Sequence, residues 1–358
     1  MEMNKSYSKP LITTSIPTYR RPKLLRRAIQ SVLNQSYPHF QVCVYDNASG
    51  DETASVVAEL AKMDSRVKYH CHSENIGALK NFIYGMEHVE TPFFSFLSDD
   101  DIILPEFYEI AMKGFENFPD AIFSAGATIH MTNKGKITDV PLSVWQRDGY
   151  YIPPDGLLEM LEKGHPAWTA ILFRKKVIEK IGVLDQDVGA PSDLDFELRV
   201  ATRFPLVVSQ KPCAILVNHP LSFCVLADFL SIWWPSWLKI IRNLTEDKQI
   251  PLDVRTRAEY MLNERLKQML FWSGIGYIKQ KDFKNAYKTI EIFRDYYHLK
   301  TKTFILYVIA KFREYFPPGY YFLVCLNKVR IFFNHTKYKH KYKQLQKHFG
   351  HYAQFLEL

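Results

Sequence analysis

Over the first 130 residues, short apolar runs alternate with amphipathic stretches. The run 11–16 reads as a buried strand, Pro17 and Pro22 break it, and Leu24, Leu25, Ala28, Ile29, Val32 and Leu33 then recur at helical spacing. The pattern repeats with strands at 40–45, 67–71, 93–97 and 121–129. Between them lie helical segments around Val56–Ala61 and over 78–89, and one opened by Pro105. From 155 to 218 it predicts short helices at 157–161, 175–181 and 192–203, with strands at 170–173, 206–209 and 213–217. Beyond about residue 225 the alternation gives way to long amphipathic stretches at 254–271, 281–297, 302–315 and 320–333. Two parts follow: an α/β domain over 1–225 with a mostly parallel central sheet, and a helical C-terminal region over 226–358. Ligands bind such sheets beyond the carboxyl ends of the strands. The loops at 17–22, 46–51, 75–80 and 98–101 all fall there, so they are expected to converge on one site.

Composition narrows the classes. With 358 residues and 47% apolar content the chain has ample material for a core, which excludes wholesale disorder. Five cysteines without a close CxxC pair speak against a zinc site and a disulfide framework. The start MEMNKSYSKP lacks the apolar segment of a signal peptide, and no stretch reads as a membrane span, so a cytoplasmic location is expected. The net charge of +8 is concentrated in an aromatic tail from Asn327 onward, which suits an anionic lipid surface or a solvated helix face.

The sharpest chemical signal is Phe94-Ser95-Phe96-Leu97-Ser98-Asp99-Asp100-Asp101. Three adjacent carboxylates behind an apolar strand repel one another unless a cation or hydrogen-bond donors compensate. A hard divalent ion shared with phosphates is one answer; capping of the following helix is another.

The run resembles the metal-binding DXD region of GT-A-fold glycosyltransferases, especially the inverting family 2. Ser98, Asp99, Asp100 and Asp101 stand where that family has D-x-D-D, with Pro105 in place and Ser98 departing from the first Asp. Three further segments resemble the family in order. Pro17-Thr18-Tyr19-Arg20-Arg21 matches its nucleotide loop. Asp46-Asn47-Ala48-Ser49-Gly50-Asp51 matches the loop whose first Asp contacts the base, and Asn75-Ile76-Gly77-Ala78-Leu79-Lys80-Asn81 would set Lys80 toward the diphosphate. The resemblance covers roughly 11–225. It implies a nucleotide-sugar donor (a UDP-, dTDP- or GDP-sugar), Mn²⁺ or Mg²⁺ on Asp100 and Asp101, and a glycan or lipid-linked glycan acceptor in bacterial surface polysaccharide assembly. Nucleic acid is not among the implied partners.

A second carboxylate run, Ser192-Asp193-Leu194-Asp195-Phe196-Glu197-Leu198-Arg199, opens a helix. On the residues alone it is either an N-cap or a general base. The resemblance assigns the base to Asp193, six positions before Arg199, with Asp195 as the second candidate. His219, after the last strand, matches a histidine that some GT-A enzymes use to complete the metal shell. Trp168 suits either a sugar face or the core.

Two other classes were weighed. A nucleotidyltransferase would carry a glycine-rich loop after the first strand, and 17–22 has no glycine. A non-catalytic sugar-nucleotide-binding protein would have lost the acidic run or Asp193. The C-terminal region suits a homodimer interface, peripheral contact with the inner face of the plasma membrane, or an acceptor dock.

Overall fold

The structure is a computed structural model that describes residues 10–218, 227–316 and 342–358. It divides into two compact units: residues up to 222 together with 345–358, and residues 223–344.

The first unit is built on a ten-stranded sheet. Its parallel half is β3 (Val67–Cys71), β2 (Phe40–Asp46), β1 (Ile12–Thr18) and β4 (Phe93–Phe96), in that order. Helices α1 (Pro22–Leu33), α2 (Thr53–Met63) and α3 (Ala78–Glu87) follow β1, β2 and β3. β1 is buried along its whole length and has no exposed face, as expected of a strand covered on both sides, and its buried Thr13 and Thr14 hydroxyls pair with Thr91 and Ser95. Leu25, Ala28, Ile29 and Val32 of α1 pack with Ile12, Ile16, Val42 and Val44 in one apolar cluster.

Beyond β4 the sheet becomes mixed. β9 (Ile171–Arg174) runs antiparallel between β4 and β6 (Phe123–Thr132), and β6 pairs parallel with β10 (Leu206–Asn218). The two strands expected at 206–209 and 213–217 are one strand, with register shifts around Pro212. Proline lacks a ladder donor and is tolerated at such an irregularity. Three short strands escape the periodicity: β5 (Ile102–Ile103), β7 (Ile137–Asp139) and β8 (Gly149–Tyr151). β5 pairs with Ala214 and Ile215 of β10, fixing the far end of the acidic run. Helix α4 (Phe107–Asn117) begins two residues after Pro105, α5 is Asp155–Lys163, α6 is Lys176–Ile181, and α7 is Ser192–Ala201.

The second unit is helical: α8 (Trp234–Thr245), α9 (Leu252–Gln280), α10 (Phe283–Glu291) and α11 (Lys300–Tyr315). Buried Val254, Ala258, Leu262, Leu266 and Leu270 repeat every fourth residue along α9. That helix continues to 280, past the end at 271 that its sequence suggested, and α8 had no sequence assignment. The helix expected at 320–333 lies outside the described residues. The expected boundary at 225/226 falls close to the structural division at 222/223, but 345–358 belong with the first unit rather than with the helices. Gln346 explains this, accepting from Ile137 N at 3.0 Å and donating to Gly135 O at 3.3 Å.

Candidate active site

The loops that leave β1, β2, β3 and β4 are stitched together by their own polar groups. Thr18 O accepts from Asn47 N at 3.0 Å, and Thr18 Oγ1 donates to Asp99 Oδ2 at 2.8 Å. Asn47 then ties the second loop to the third, its Nδ2 donating to Asn75 Oδ1 and its Oδ1 accepting from Ile76 N. Arg20 holds the first loop to the second through Ser49, by its backbone N–H at 2.9 Å and its Nε at 3.1 Å. Gly77 opens α3 at a φ of 88°, a conformation that disfavours any side chain. Asn81, one turn on, donates to Tyr45 O and so locks α3 to β2.

Pro17 and Thr18 close β1 and Asp46 closes β2, while Tyr19, Arg21, Asn75 and Gly77 lie on the loops; of these, Thr18 and Arg21 touch Asp99, and Arg21 also touches Asp100. Tyr19 and Lys80 are exposed. Asp46 is buried with both oxygens engaged: Ser49 Oγ donates to Oδ1 at 2.6 Å and Tyr69 Oη to Oδ2 at 2.6 Å. Its carboxylate therefore braces the turn.

The three adjacent carboxylates have three different surroundings. Asp99 is buried against Thr18 and Arg21, and burial pushes its carboxyl up to about 6 despite the Arg21 charge. Asp101 is buried too, its Oδ2 accepting from Thr169 Oγ1 at 2.7 Å and its Oδ1 from Val217 N at 3.0 Å. Burial, with repulsion from Asp100, raises it to about 7. Only Asp100 is partly open: Arg21 Nη1 holds its Oδ2 at 3.0 Å, and Arg27 Nη2 fixes its carbonyl oxygen at 2.5 Å. Arg27 had no signal in the sequence, because it reads as one cation on the outer face of an amphipathic helix.

Among the described residues no group of three or more His, Cys, Asp and Glu side chains is placed to hold a metal by itself. A hard ion carried mainly by phosphate oxygens needs only one or two carboxylates from the protein. Asp100 fits that role, whereas Asp101 spends both oxygens on Thr169 and Val217. His219 lies outside the described residues.

The second carboxylate run is reached through the segment 164–170. Thr169 binds Asp101, and His165 Nδ1 lies 3.1 Å from Glu197 Oε2, one turn along α7 from Asp193. The segment thus connects the acidic loop to the second turn of α7. Asp193 is partly exposed, its Oδ1 accepting from Leu194 N. Asp195 is fully buried and paired with Arg199 Nε at 2.7 Å. Glu197 is also fully buried, with Oε1 lacking a hydrogen-bond partner. Burial, partly offset by His165 and reinforced by Asp193, raises Glu197 to about 7. Trp168 packs against Phe96, Phe173 and Phe196 with ring centroids 5.1–5.8 Å away, so its role is in the core and not on a sugar face.

Residues 13–182 match the family model described as Glycosyl transferase family 2. A Campylobacter jejuni GalNAc(5)-diNAcBac-PP-undecaprenol beta-1,3-glucosyltransferase is 36% identical over 96 residues, 26% of this chain and 31% of that protein. A Bacillus subtilis glycosyltransferase named for teichuronic acid biosynthesis, TuaG, is 30% identical over 93 residues, 26% of this chain and 37% of that protein. The matches therefore span about a third of the length of these relatives. Residues 1–349 of S. aureus TarS, solved with UDP-GlcNAc, superpose with a TM-score of 0.64 at 16% identity, covering 87% of this chain and 92% of that one. The mannosyltransferase PcManGT of Pyrobaculum calidifontis, solved with GDP-Man and Mn²⁺, gives 0.50 at 15% identity over 87% of this chain and 82% of that one. These likenesses establish a GT-A fold.

Proposed function

We propose that this chain, whose residues 13–182 match the glycosyltransferase family 2 model, transfers a sugar from a nucleoside-diphosphate sugar to an acceptor hydroxyl with inversion at the anomeric carbon. The observation that carries the reading is the pair of partly open carboxylates, Asp100 and Asp193, on a frame whose other carboxylates are buried and engaged.

In this reading the loops of Thr18, Asn47 and Asn75 form the nucleotide pocket, with Asp46 holding its shape. Arg21 and Lys80 offset the diphosphate charge. Asp100 would hold a Mn²⁺ or Mg²⁺ ion, which when bound would supply Lewis-acid stabilisation of the leaving diphosphate. Asp193 takes the acceptor proton as the acceptor oxygen bonds to the anomeric carbon, and the anomeric carbon–phosphate oxygen bond breaks on the opposite face. Asp195 is placed as a positioning residue, since its ion pair with Arg199 holds the first turn of α7. The two bacterial relatives, named for an undecaprenol-linked glycan and for teichuronic acid, support an acceptor in surface-glycan assembly at a membrane.

The test is nucleoside-diphosphate release from a panel of UDP-, dTDP- and GDP-sugars with Mn²⁺ or Mg²⁺. One donor should turn over, chelation should stop it, and added metal should restore it. Turnover by Asp100→Ala under exhaustive chelation at the wild-type rate would rule the reading out. So would a product with retained anomeric configuration by NMR.

A further inference from the structure

Helix α11 is apolar on two opposite faces. Leu306 and Ala310 face inward, joining Leu270, Tyr277, Ile290 and Phe293 in one apolar cluster. The other side presents Phe304 (67% exposed), Ile305, Tyr307, Phe312 and Tyr315 (72%). Scattered exposed aromatics need no explanation, but five apolar residues contiguous on one helix face mark a contact surface. Outside its buried Arg313, the same helix carries Lys300, Lys302 and Lys311 against one acidic residue, Glu314, which Lys311 meets at 3.4 Å. Lys311 lies over the rings of Tyr307 and Tyr315, at 5.6 and 4.8 Å from their centroids. That arrangement sets the ammonium against the aromatic faces as a cation–π contact, beside Glu314.

At the N-terminal end of this face is a cavity of about 450 Å³. Arg294, His298 and Lys300 line it together with Ile290, Phe304 and Tyr307, and no acidic side chain is among its lining residues. Arg294 is itself paired with the exposed Asp295, Nε to Oδ1 at 2.6 Å, so Lys300, set against aromatic and aliphatic walls, is the cation best placed to meet a phosphate that carries an apolar chain.

We propose that α11 is a membrane-docking helix, its outer aromatic face lying in the interfacial layer of an anionic phospholipid membrane and a lipid headgroup phosphate occupying the Arg294–His298–Lys300 cavity. Charge decides the occupant. A second copy docking symmetrically would oppose like-charged lysines, whereas an anionic lipid surface complements them. The inference deepens the membrane-proximal acceptor proposed above and rests on that reading only for the setting in which the chain works.

The experiment is co-sedimentation of the full chain, without donor, on phosphatidylcholine vesicles with and without phosphatidylglycerol. The wild type should bind the phosphatidylglycerol vesicles and release with salt. Phe304→Ser/Tyr315→Ser should weaken partitioning at least about tenfold. Arg294→Glu/Lys300→Glu should weaken it only on anionic vesicles. Circular dichroism of each variant checks folding, and all four residues are exposed and outside the unit's core cluster. Four results would overturn the proposal: no vesicle binding, equal binding to both vesicle types, variants that bind as wild type, or a concentration-dependent dimer abolished by Phe304→Ser/Tyr315→Ser. Protection of the cavity by free glycerol phosphate without vesicle binding would assign it to a soluble phosphate and overturn it as well. Nucleoside-diphosphate release is read separately, so loss of docking with intact turnover leaves the transferase reading standing.

Discussion

Asp99, Asp100 and Asp101 are identical in chemistry and consecutive in sequence, yet they meet three environments, and Asp100 and Asp101 make opposite predictions. Asp100→Ala should leave the melting temperature near that of the wild type and reduce donor turnover by about 100-fold or more, since an open carboxylate contributes to chemistry more than to packing. Asp101→Ala strands the Thr169 hydroxyl and the Val217 N–H, and urea unfolding should show a loss of about 2 kcal/mol or more. Asp193→Asn should lower kcat by about 100-fold with little change in stability. Glu197 makes a prediction about pH. Its folded value near 7 lies above its ordinary 4.5, so between those values the folded chain keeps a proton that the unfolded chain has released. The stability held below about pH 4.5 is lost as pH rises through 7. Glu197→Gln should therefore flatten the pH dependence of the unfolding free energy between about pH 4.5 and 7 by an amount on the order of a few kcal/mol. An unchanged profile would place the pH sensitivity elsewhere. None of these distinctions was legible in the run of carboxylates itself, because partners from distant segments set the burial of each.

At the scale of elements, the regular helices and strands of the first half follow from hydrophobic periodicity alone. Pro22 opens α1 and Gly77 precedes α3, as expected, but β1 runs through Pro17 to Thr18 beside β2 rather than ending at the proline. Gly77→Ala should cost about 1–2 kcal/mol in chemical unfolding, since φ of 88° is a conformation that a Cβ resists; nothing crowds that position, so backbone strain is the only source of the loss. Elements that depend on a partner were not legible. β5 is two residues long and exists because β10 offers it hydrogen-bonding groups. β10 itself runs through Pro212 because β6 supports it on either side of the irregularity. In the second unit, α9 continues through Gly274, where a side chain would come within 2.9 Å of Thr289, so packing against neighbouring helices outweighs glycine's poor propensity.

For the whole molecule, the sheet order places the ends of β1 to β4 side by side, which is why four loops far apart in sequence share hydrogen bonds. The last segment, 345–358, belongs to the first unit through Gln346, so Gln346→Ala should lower the stability of that unit by about 1 kcal/mol, read by thermal unfolding of the full chain. Among the described residues no helix is long and apolar enough to cross a membrane.

Local interactions need only neighbours along the chain, so the sequence by itself determined the strand–helix alternation, the turns, the position of the acidic run after β4 and the carboxylates opening α7. The tertiary structure alone decided which of those carboxylates are spent and which are open. Asp101 meets Thr169 at a separation of 68 residues and Val217 at 116, distances over which composition and periodicity carry no information about which groups will touch.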